Sequence, residues 1–286
     1  MNSKRELTYR ELLQDVSRKL ADAEVEEWKE DAWQLFSFSF GINRSNYFLQ
    51  EEESLSQEHK ELLPLLEERV QKRTNCIPIQ YILGKQEFMG LEFLVNEHVL
   101  IPRFDTELLV EEVCRCSAGK EILDVCTGSG CIAVSIAMLG NPLKVDALDS
   151  SLEALAVAEE NGKKHGAKVH FFQSDLLDGC KEQYDCIVSN PPYIATEEIL
   201  TLAKEVRERE PSLALDGGAD GLDFYRRLIP QAKEHLRNEG RLFLEIGCEQ
   251  GDAVSCILQE NGYTQIQVKK DYAGLDRIVT AQKACA

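Results

Sequence analysis

The feature that most restricts the fold is an alternation that begins at Glu121. Short apolar runs at Glu121–Cys126, Lys144–Asp149, Val169–Asp175, Tyr184–Asn190, Arg241–Gly247, Gln265–Lys270 and Arg277–Ala281 have the length and content of buried strands. Between several of them, Cys131–Leu139, Leu152–His165, Leu222–Leu236 and Ala253–Asn261 carry apolar residues at helical spacing. Strands that alternate with helices make a parallel sheet with helices on both faces, because each return crosses over one face. The link from Asp271 to Asp276 is too short for such a crossover, so the last two strands pair antiparallel. The expectation is an α/β, doubly wound, mostly parallel sheet with an antiparallel C-terminal strand.

The chain ahead of this region reads differently. Thr8 and Glu11 form a capping box ahead of Leu12, Leu13, Val16 and Leu20. Val25, Trp28, Ala32, Leu35 and Phe36 share a helical face. Gly41 to Asn46 reads as a loop, and Ser54 to Asn75 as a helix that Pro64 kinks or restarts. From Cys76 the character changes: Glu87-Phe88-Met89 and Leu91 to Val95, separated by Gly90, predict a β-hairpin. The expected organisation is a small helical domain over 1–75, a linking β-hairpin over 76–101 and the α/β domain over 102–286.

Composition narrows the function. Asp and Glu number 50 against 32 Lys and Arg, a net charge of −18 that repels phosphate backbones and disfavours non-specific nucleic-acid binding. No apolar run approaches the roughly 18 residues of a membrane span. Met1 to Arg10 is polar, without the apolar core of a signal peptide, so a cytoplasmic protein is expected. The ten cysteines are irregularly spaced and contain no CxxC, and with five scattered histidines they offer no metal-ligand spacing. They read as reduced thiols, mostly packed as small hydrophobes.

Two motifs carry chemistry. Asp124-Val125-Cys126-Thr127-Gly128-Ser129-Gly130 leaves a strand and enters a helix, a turn whose glycines let backbone approach a ligand near the free N–H groups of the helix start. Asp149 ends the next strand, where its carboxylate can accept from ribose hydroxyls. This much suits a nicotinamide dinucleotide or S-adenosylmethionine equally, since Gly128 to Ala133 also satisfies G-x-G-x-x-G/A.

Asn190-Pro191-Pro192-Tyr193, at the end of the fourth strand, separates the two. Such a tetrapeptide arises by chance in roughly one chain in a thousand of this length. It suits methyl transfer to a planar –NH2 group, whose delocalised lone pair makes it a poor nucleophile. Acceptors at its two N–H bonds orient it and favour a tetrahedral nitrogen. The Asn190 side-chain oxygen and the Pro191 carbonyl can serve, held by the fixed φ of Pro191 and Pro192. The Tyr193 ring can stack on the flat amide. Alignment supplies most of the acceleration, and the proton leaves after the methyl has bonded, so no general base is assigned.

At these residues the chain resembles the class I S-adenosylmethionine methyltransferases that act on amide or amine nitrogen. More closely, it resembles the bacterial protein-(glutamine-N5) methyltransferases that modify class I peptide chain release factors. The resemblance continues through Pro78 to Gly84 with Glu87-Phe88, Ile101 to Glu107, Glu210 to Gly218 with Asp220-Gly221-Leu222, Glu245-Ile246-Gly247 and Asp271 to Arg277. It implies a Rossmann-like catalytic domain joined to a helical domain that helps seat the release factor. It implies S-adenosyl-L-methionine as cofactor and the glutamine of the Gly-Gly-Gln loop as acceptor. Position by position, it implies that Cys126, Thr127, Gly128, Ser129 and Gly130 line the methionine part of the cofactor. Asp149 then holds the ribose, and Asp175 and Leu176 flank the adenine. Asn190, Pro191, Pro192 and Tyr193 hold the glutamine amide, with Asn190 also near the cofactor. The implied partners are class I release factors alone, with no direct nucleic acid, no membrane and a monomeric enzyme.

Three positions depart from the family pattern: Cys126 replaces the first glycine of the turn, Phe104 a common proline, and Arg209 a common aromatic. Four alternatives accompany this reading. A DNA adenine-N6 or cytosine-N4 methyltransferase shares the tetrapeptide but needs a basic DNA-tracking surface. A ribosomal-protein glutamine methyltransferase has the same chemistry. A binding-only module would have no use for an intact tetrapeptide. A nicotinamide-dependent oxidoreductase leaves Asn190 to Tyr193 unexplained.

Overall fold

The computed structural model describes residues 6–285, so Met1 to Arg5 of the polar N-terminal segment lie outside the described residues. The chain divides into two compact units. One contains the residues up to Gly84 together with Lys204–Arg209, and the other contains Lys85–Ala203 and Glu210 onward.

The first unit is helical: α1 (Tyr9–Asp22), α2 (Trp28–Phe40), α3 (Arg44–Gln50), α4 (Gln57–Thr74) and α5 (Ile79–Leu83). The Thr8 hydroxyl accepts from the Glu11 N–H, and the Glu11 carboxylate accepts from the Thr8 N–H, so the capping box forms as read. The predicted loop over 41–46 is shorter than expected, because the Asn43 side chain caps a further helix, α3. Ser56 likewise sets the start of α4, which runs through Pro64 without restarting. Leu20, Leu35, Phe36, Leu66 and Val70 fill the core. Ile79 joins that core, so 76–84 packs with the helices rather than with the hairpin. The Arg73 guanidinium, buried in this unit, pairs with Asp31 at 2.6 Å and with Glu205 of the short helix Lys204–Arg209.

The second unit opens with a hairpin, β1 (Lys85–Phe88) and β2 (Leu91–Leu94), followed by α6 (Glu107–Cys114). Then come β3 (Glu121–Val125), α7 (Cys131–Leu139), β4 (Lys144–Asp149), α8 (Leu152–His165), β5 (Val169–Gln173) and β6 (Tyr184–Ser189). With Lys204–Arg209 counted as α9, the chain closes with α10 (Asp223–His235), β7 (Leu236–Glu245), α11 (Gly251–Glu260), β8 (Tyr263–Lys270) and β9 (Asp276–Lys283). The seven-stranded sheet has the order β5-β4-β3-β6-β7-β9-β8, parallel from β5 to β7, with β9 antiparallel to both its neighbours. This is the α/β sheet with an antiparallel C-terminal strand that the alternation predicts.

Alternate side chains of the strands feed two cores. Leu123, Ile187, Leu242 and Leu244 pack with α10 and α11, whereas Ile122, Cys186, Val188 and Phe243 pack with α6 and α7. Phe88 and Phe93 of the hairpin belong to the second of these cores. The strand order reverses between β3 and β6, and a crevice opens beyond their carboxyl ends, where open α/β sheets bind ligands. Two sequence expectations shift here. β7 begins five residues before Arg241, because Leu236 already pairs with Tyr184 across a bulge. β5 ends at Gln173, where its pairing with β4 stops at Asp149, rather than running to Asp175.

Candidate active site

The pocket at the reversal point lies within the second unit. Its floor is the turn after β3, where Cys126, Thr127, Gly128 and Ser129 line it, together with Asp149 after β4 and Asn190 and Pro192 after β6. Its walls come from Val99, Leu100, Pro102 and Arg103 on one side and Pro211, Leu213, Ala214 and Phe224 on the other.

The β3 turn is built from backbone that side chains rarely allow. Cys126 has φ +62°, Gly128 +54° and Gly130 +78°. The glycines serve different ends. A Cβ on Gly128 would meet nothing within 4 Å, so that backbone faces open pocket. A Cβ on Gly130 would stand 3.0 Å from the Ala158 Cβ, so that glycine lets α7 start against α8. Cys126 takes the left-handed conformation with a side chain present, and burial pushes its thiol pKa up. Below the turn the Thr127 hydroxyl donates to Asp124 at 2.6 Å, and burial pushes the Asp124 carboxyl up to about 7.

Asp149 is tied to the turn. One carboxylate oxygen accepts from the Gly128 N–H at 2.9 Å and the other from the Ser151 N–H at 3.0 Å. Burial raises its pKa, and these backbone donors oppose the rise. Each oxygen keeps a lone pair for a further donor, which fits a ribose diol. The apolar walls fit the rest of a nucleoside.

Asn190 is held from behind. Its amino group donates to the Thr106 hydroxyl oxygen at 3.2 Å, which leaves the side-chain carbonyl oxygen free to accept. Tyr193 is anchored rather than loose in the pocket: its hydroxyl donates to Glu245 at 3.3 Å, and its carbonyl accepts from Gln250 at 2.9 Å. The backbone of Gly217 and Gly221 presses against Tyr193 so closely that a Cβ on Gly221 would lie 2.3 Å from the Tyr193 carbonyl oxygen. The Gly217-Gly218 loop therefore buttresses the tetrapeptide.

Of the residues singled out in the sequence, Cys126, Thr127, Gly128, Ser129, Asp149, Asn190 and Pro192 line one pocket. Gly130, Pro191 and Tyr193 adjoin it in the chain without lining it. Asp175 and Leu176 also lie outside the lining. The Asp175 carboxylate pairs with Arg227 at 2.8 Å, and Leu176 is buried in the α10 core. Phe104 is exposed and tilts against Tyr272, while Arg209 donates to the Asn75 carbonyl. Sequence reading gave no role to Thr106, Glu210, Glu245 or Gln250. The buried Glu210 carboxylate accepts from the Ile101 N–H at 3.2 Å and pairs with Arg103, joining both walls. Glu245 had a readable signal: like Asp149, it is a carboxylate ending a buried apolar strand.

The methyltransferase small domain family matches residues 103–217, and the PrmC N-terminal domain family matches residues 11–84. The chain is 40% identical to the release factor glutamine methyltransferase of Geobacter sulfurreducens over 95% of each chain. It is 41% identical to that of Moorella thermoacetica, over 97% of this chain and 99% of the other. It is 38% identical to that of Bacillus subtilis, over 95% and 96%. Among solved structures, a methyltransferase from Pyrococcus furiosus shares the fold with a TM-score of 0.55 at 18% identity, covering 76% of this chain and 98% of that one.

Proposed function

The chain belongs to the family of release factor glutamine methyltransferases, and on that premise we propose its acceptor and the roles of its site residues. It is an S-adenosylmethionine-dependent protein-glutamine methyltransferase. Its acceptor is N5 of the glutamine in the Gly-Gly-Gln loop of class I peptide chain release factors. The observation that carries this reading is that the Asn190 side chain, with its carbonyl oxygen free, lies in one pocket with the Cys126–Ser129 turn and Asp149.

Bound S-adenosylmethionine supplies an electrophilic methyl group on a sulfonium sulfur. The chain's residues do the rest by placement. Cys126 to Gly130 hold the methionine end and Asp149 takes the ribose hydroxyls. Asp175 and Leu176 lie towards the adenine, one strand beyond Asp149. The Asn190 side-chain oxygen and the Pro191 carbonyl accept the two N–H bonds of the glutamine amide, with Pro192 stiffening the turn and Tyr193 flanking the amide plane. The nitrogen sheds its proton after the methyl has bonded.

The helical unit seats the release factor as the hairpin leads into the catalytic unit. The enzyme acts as a monomer in the cytoplasm, without contacting nucleic acid. Among the described residues no helix is long and apolar enough to cross a membrane.

The test is transfer of labelled methyl from S-adenosylmethionine to a purified class I release factor. A variant factor with the Gly-Gly-Gln glutamine replaced, and duplex DNA, run beside it. Label on the wild-type factor alone is expected. Label on the variant factor or on DNA overturns the acceptor assignment.

A further inference from the structure

Glu245 is a buried carboxylate of this region whose placement the proposed chemistry does not explain. Its side chain ends β7, is 1% exposed, and stands behind the tetrapeptide rather than in the pocket. One carboxylate oxygen accepts from the Tyr193 hydroxyl at 3.3 Å. The other is buried and has no hydrogen-bond partner among the described residues, so it is an unfilled acceptor. The Thr106 hydroxyl is close enough to the Glu245 carboxylate to favour its ionised form, and its oxygen already accepts from Asn190 at 3.2 Å.

We propose that Glu245 is a positioning residue that fixes the polarity of Asn190 through Thr106. The inference rests on the acceptor reading above. A hydroxyl has one hydrogen to give. An ionised carboxylate accepts only, so it claims the Thr106 hydrogen and leaves Thr106 with lone pairs alone towards Asn190. Asn190 must then turn its amino group to Thr106 and its carbonyl oxygen to the substrate. When Glu245 carries a proton, that demand ends. The Thr106 hydrogen is free to go to Asn190, the amide turns over, and two –NH2 groups face each other across the reacting position. The same carboxylate anchors Tyr193, so one group sets both the acceptor and the ring beside it.

The groups around Glu245 bear on its charge. Burial pushes its carboxyl up to about 7, against the Thr106 hydroxyl, the Arg277 cation and the Tyr193 hydroxyl, which favour the ionised form. Asp105 acts in the same direction as burial. Arg277 is shared with Asp271 at 3.1 Å and Asp105 at 3.3 Å, so its charge is only partly available. From α10 the Tyr225 hydroxyl donates to the Glu245 backbone carbonyl, and the Cys131 thiol at the start of α7 lies within electrostatic range of the carboxylate.

The experiment follows methyl transfer to a class I release factor from about pH 5 to 9 in wild type, Glu245→Gln, Thr106→Val and Thr106→Ser. Wild-type kcat is expected to rise with pH through an apparent pKa of about 7. Glu245→Gln and Thr106→Val should each lose at least about ten-fold in plateau kcat and lose the pH step. Thr106→Ser, which keeps the hydroxyl, should recover most of both. The affinity of Glu245→Gln for S-adenosylhomocysteine, read by calorimetry, should stay near wild type. A second readout needs no acceptor: the ¹⁵N side-chain amide signal of Asn190 should titrate near neutrality in wild type and stay fixed in Glu245→Gln. Wild-type kcat with an intact pH step in Glu245→Gln, or an Asn190 signal indifferent to pH, overturns the proposal. So does a parallel fall of kcat, thermal midpoint and cofactor affinity, which marks a merely structural role. Failure of the wild-type enzyme to label the release factor overturns the acceptor assignment instead, and the Asn190 signal still decides for Glu245.

Discussion

Ser189 and Val125 are register partners on β6 and β3, and the Ser189 hydroxyl donates to the Val125 carbonyl oxygen at 2.7 Å. The residues that follow them are Asn190 and Cys126. This clasp, at the last paired position, therefore sets the distance between the Asn190–Tyr193 tetrapeptide and the Cys126–Gly130 turn. Ser189→Ala removes a fully buried hydrogen bond and should cost about 1 kcal/mol of stability. Because the two loops then part more easily, kcat should fall several-fold as well. Thermal unfolding and steady-state rates check both, and wild-type values in each would show that the clasp holds nothing.

Asn190→Ala deletes the free acceptor while leaving the β3 turn and Asp149 in place. Turnover should drop roughly 10²–10³-fold, the range seen when one preorganised hydrogen-bonding group is lost. Cofactor affinity, measured by titration with S-adenosylhomocysteine, should be largely kept. A wild-type rate would sink the amide-orientation argument.

Asp149→Ala acts on the other side of the pocket. It removes a charged acceptor that serves both the Gly128 N–H and the proposed ribose. Losing charge-assisted hydrogen bonds to a ligand should weaken cofactor binding about ten- to a hundred-fold, with a smaller effect on kcat at saturation. Unchanged affinity in a calorimetric titration would remove Asp149 from the cofactor site.

The two glycines of the turn should respond differently to alanine. Both sit at positive φ, which costs a side chain about 1–2 kcal/mol. Gly130→Ala adds a collision with Ala158 at 3.0 Å and should lower the thermal midpoint more than Gly128→Ala. Gly128→Ala projects its methyl into open pocket, so its larger effect should be on cofactor affinity. The reverse ordering of the two midpoints would contradict the packing account of Gly130.

Stability should fall as pH rises through neutrality. Burial pushes the Asp124 and Glu245 carboxyls up to about 7. The unfolded chain releases those protons near about pH 4. Between these values the folded state binds more protons, so stability is fullest below the lower value and declines as pH passes the upper one. Asp220 and Asp271, held low by Arg226 and by the Leu275 N–H respectively, act oppositely but only in acid below that window. The thermal midpoint should be higher at about pH 5 than at about pH 8, and Asp124→Asn should flatten the slope. A midpoint that climbs over this interval would refute the assignment.

The sequence by itself determined most of the elements and the motifs at their ends. Cys131–Leu139 and Leu152–His165 form helices over the limits their periodicity sets, and β4 spans Lys144–Asp149 as read. Asn190 to Tyr193, the glycine turn and Asp149 were legible because they follow strand ends, where an α/β sheet exposes its ligand crevice. Helix α3 was not, because its start depends on an Asn43 cap rather than on an apolar stripe. Only the tertiary structure decided how these parts meet. It set the register that brings Asn190 beside Cys126, and it placed Thr106 and Glu245 behind the tetrapeptide. It likewise brought Glu210 across to Ile101 and Arg103 to close the walls. The physical reason is that periodicity and capping act within a few residues. Sheet register and buried hydrogen bonds between distant segments are settled only when the layers pack and each buried donor or acceptor must find its partner.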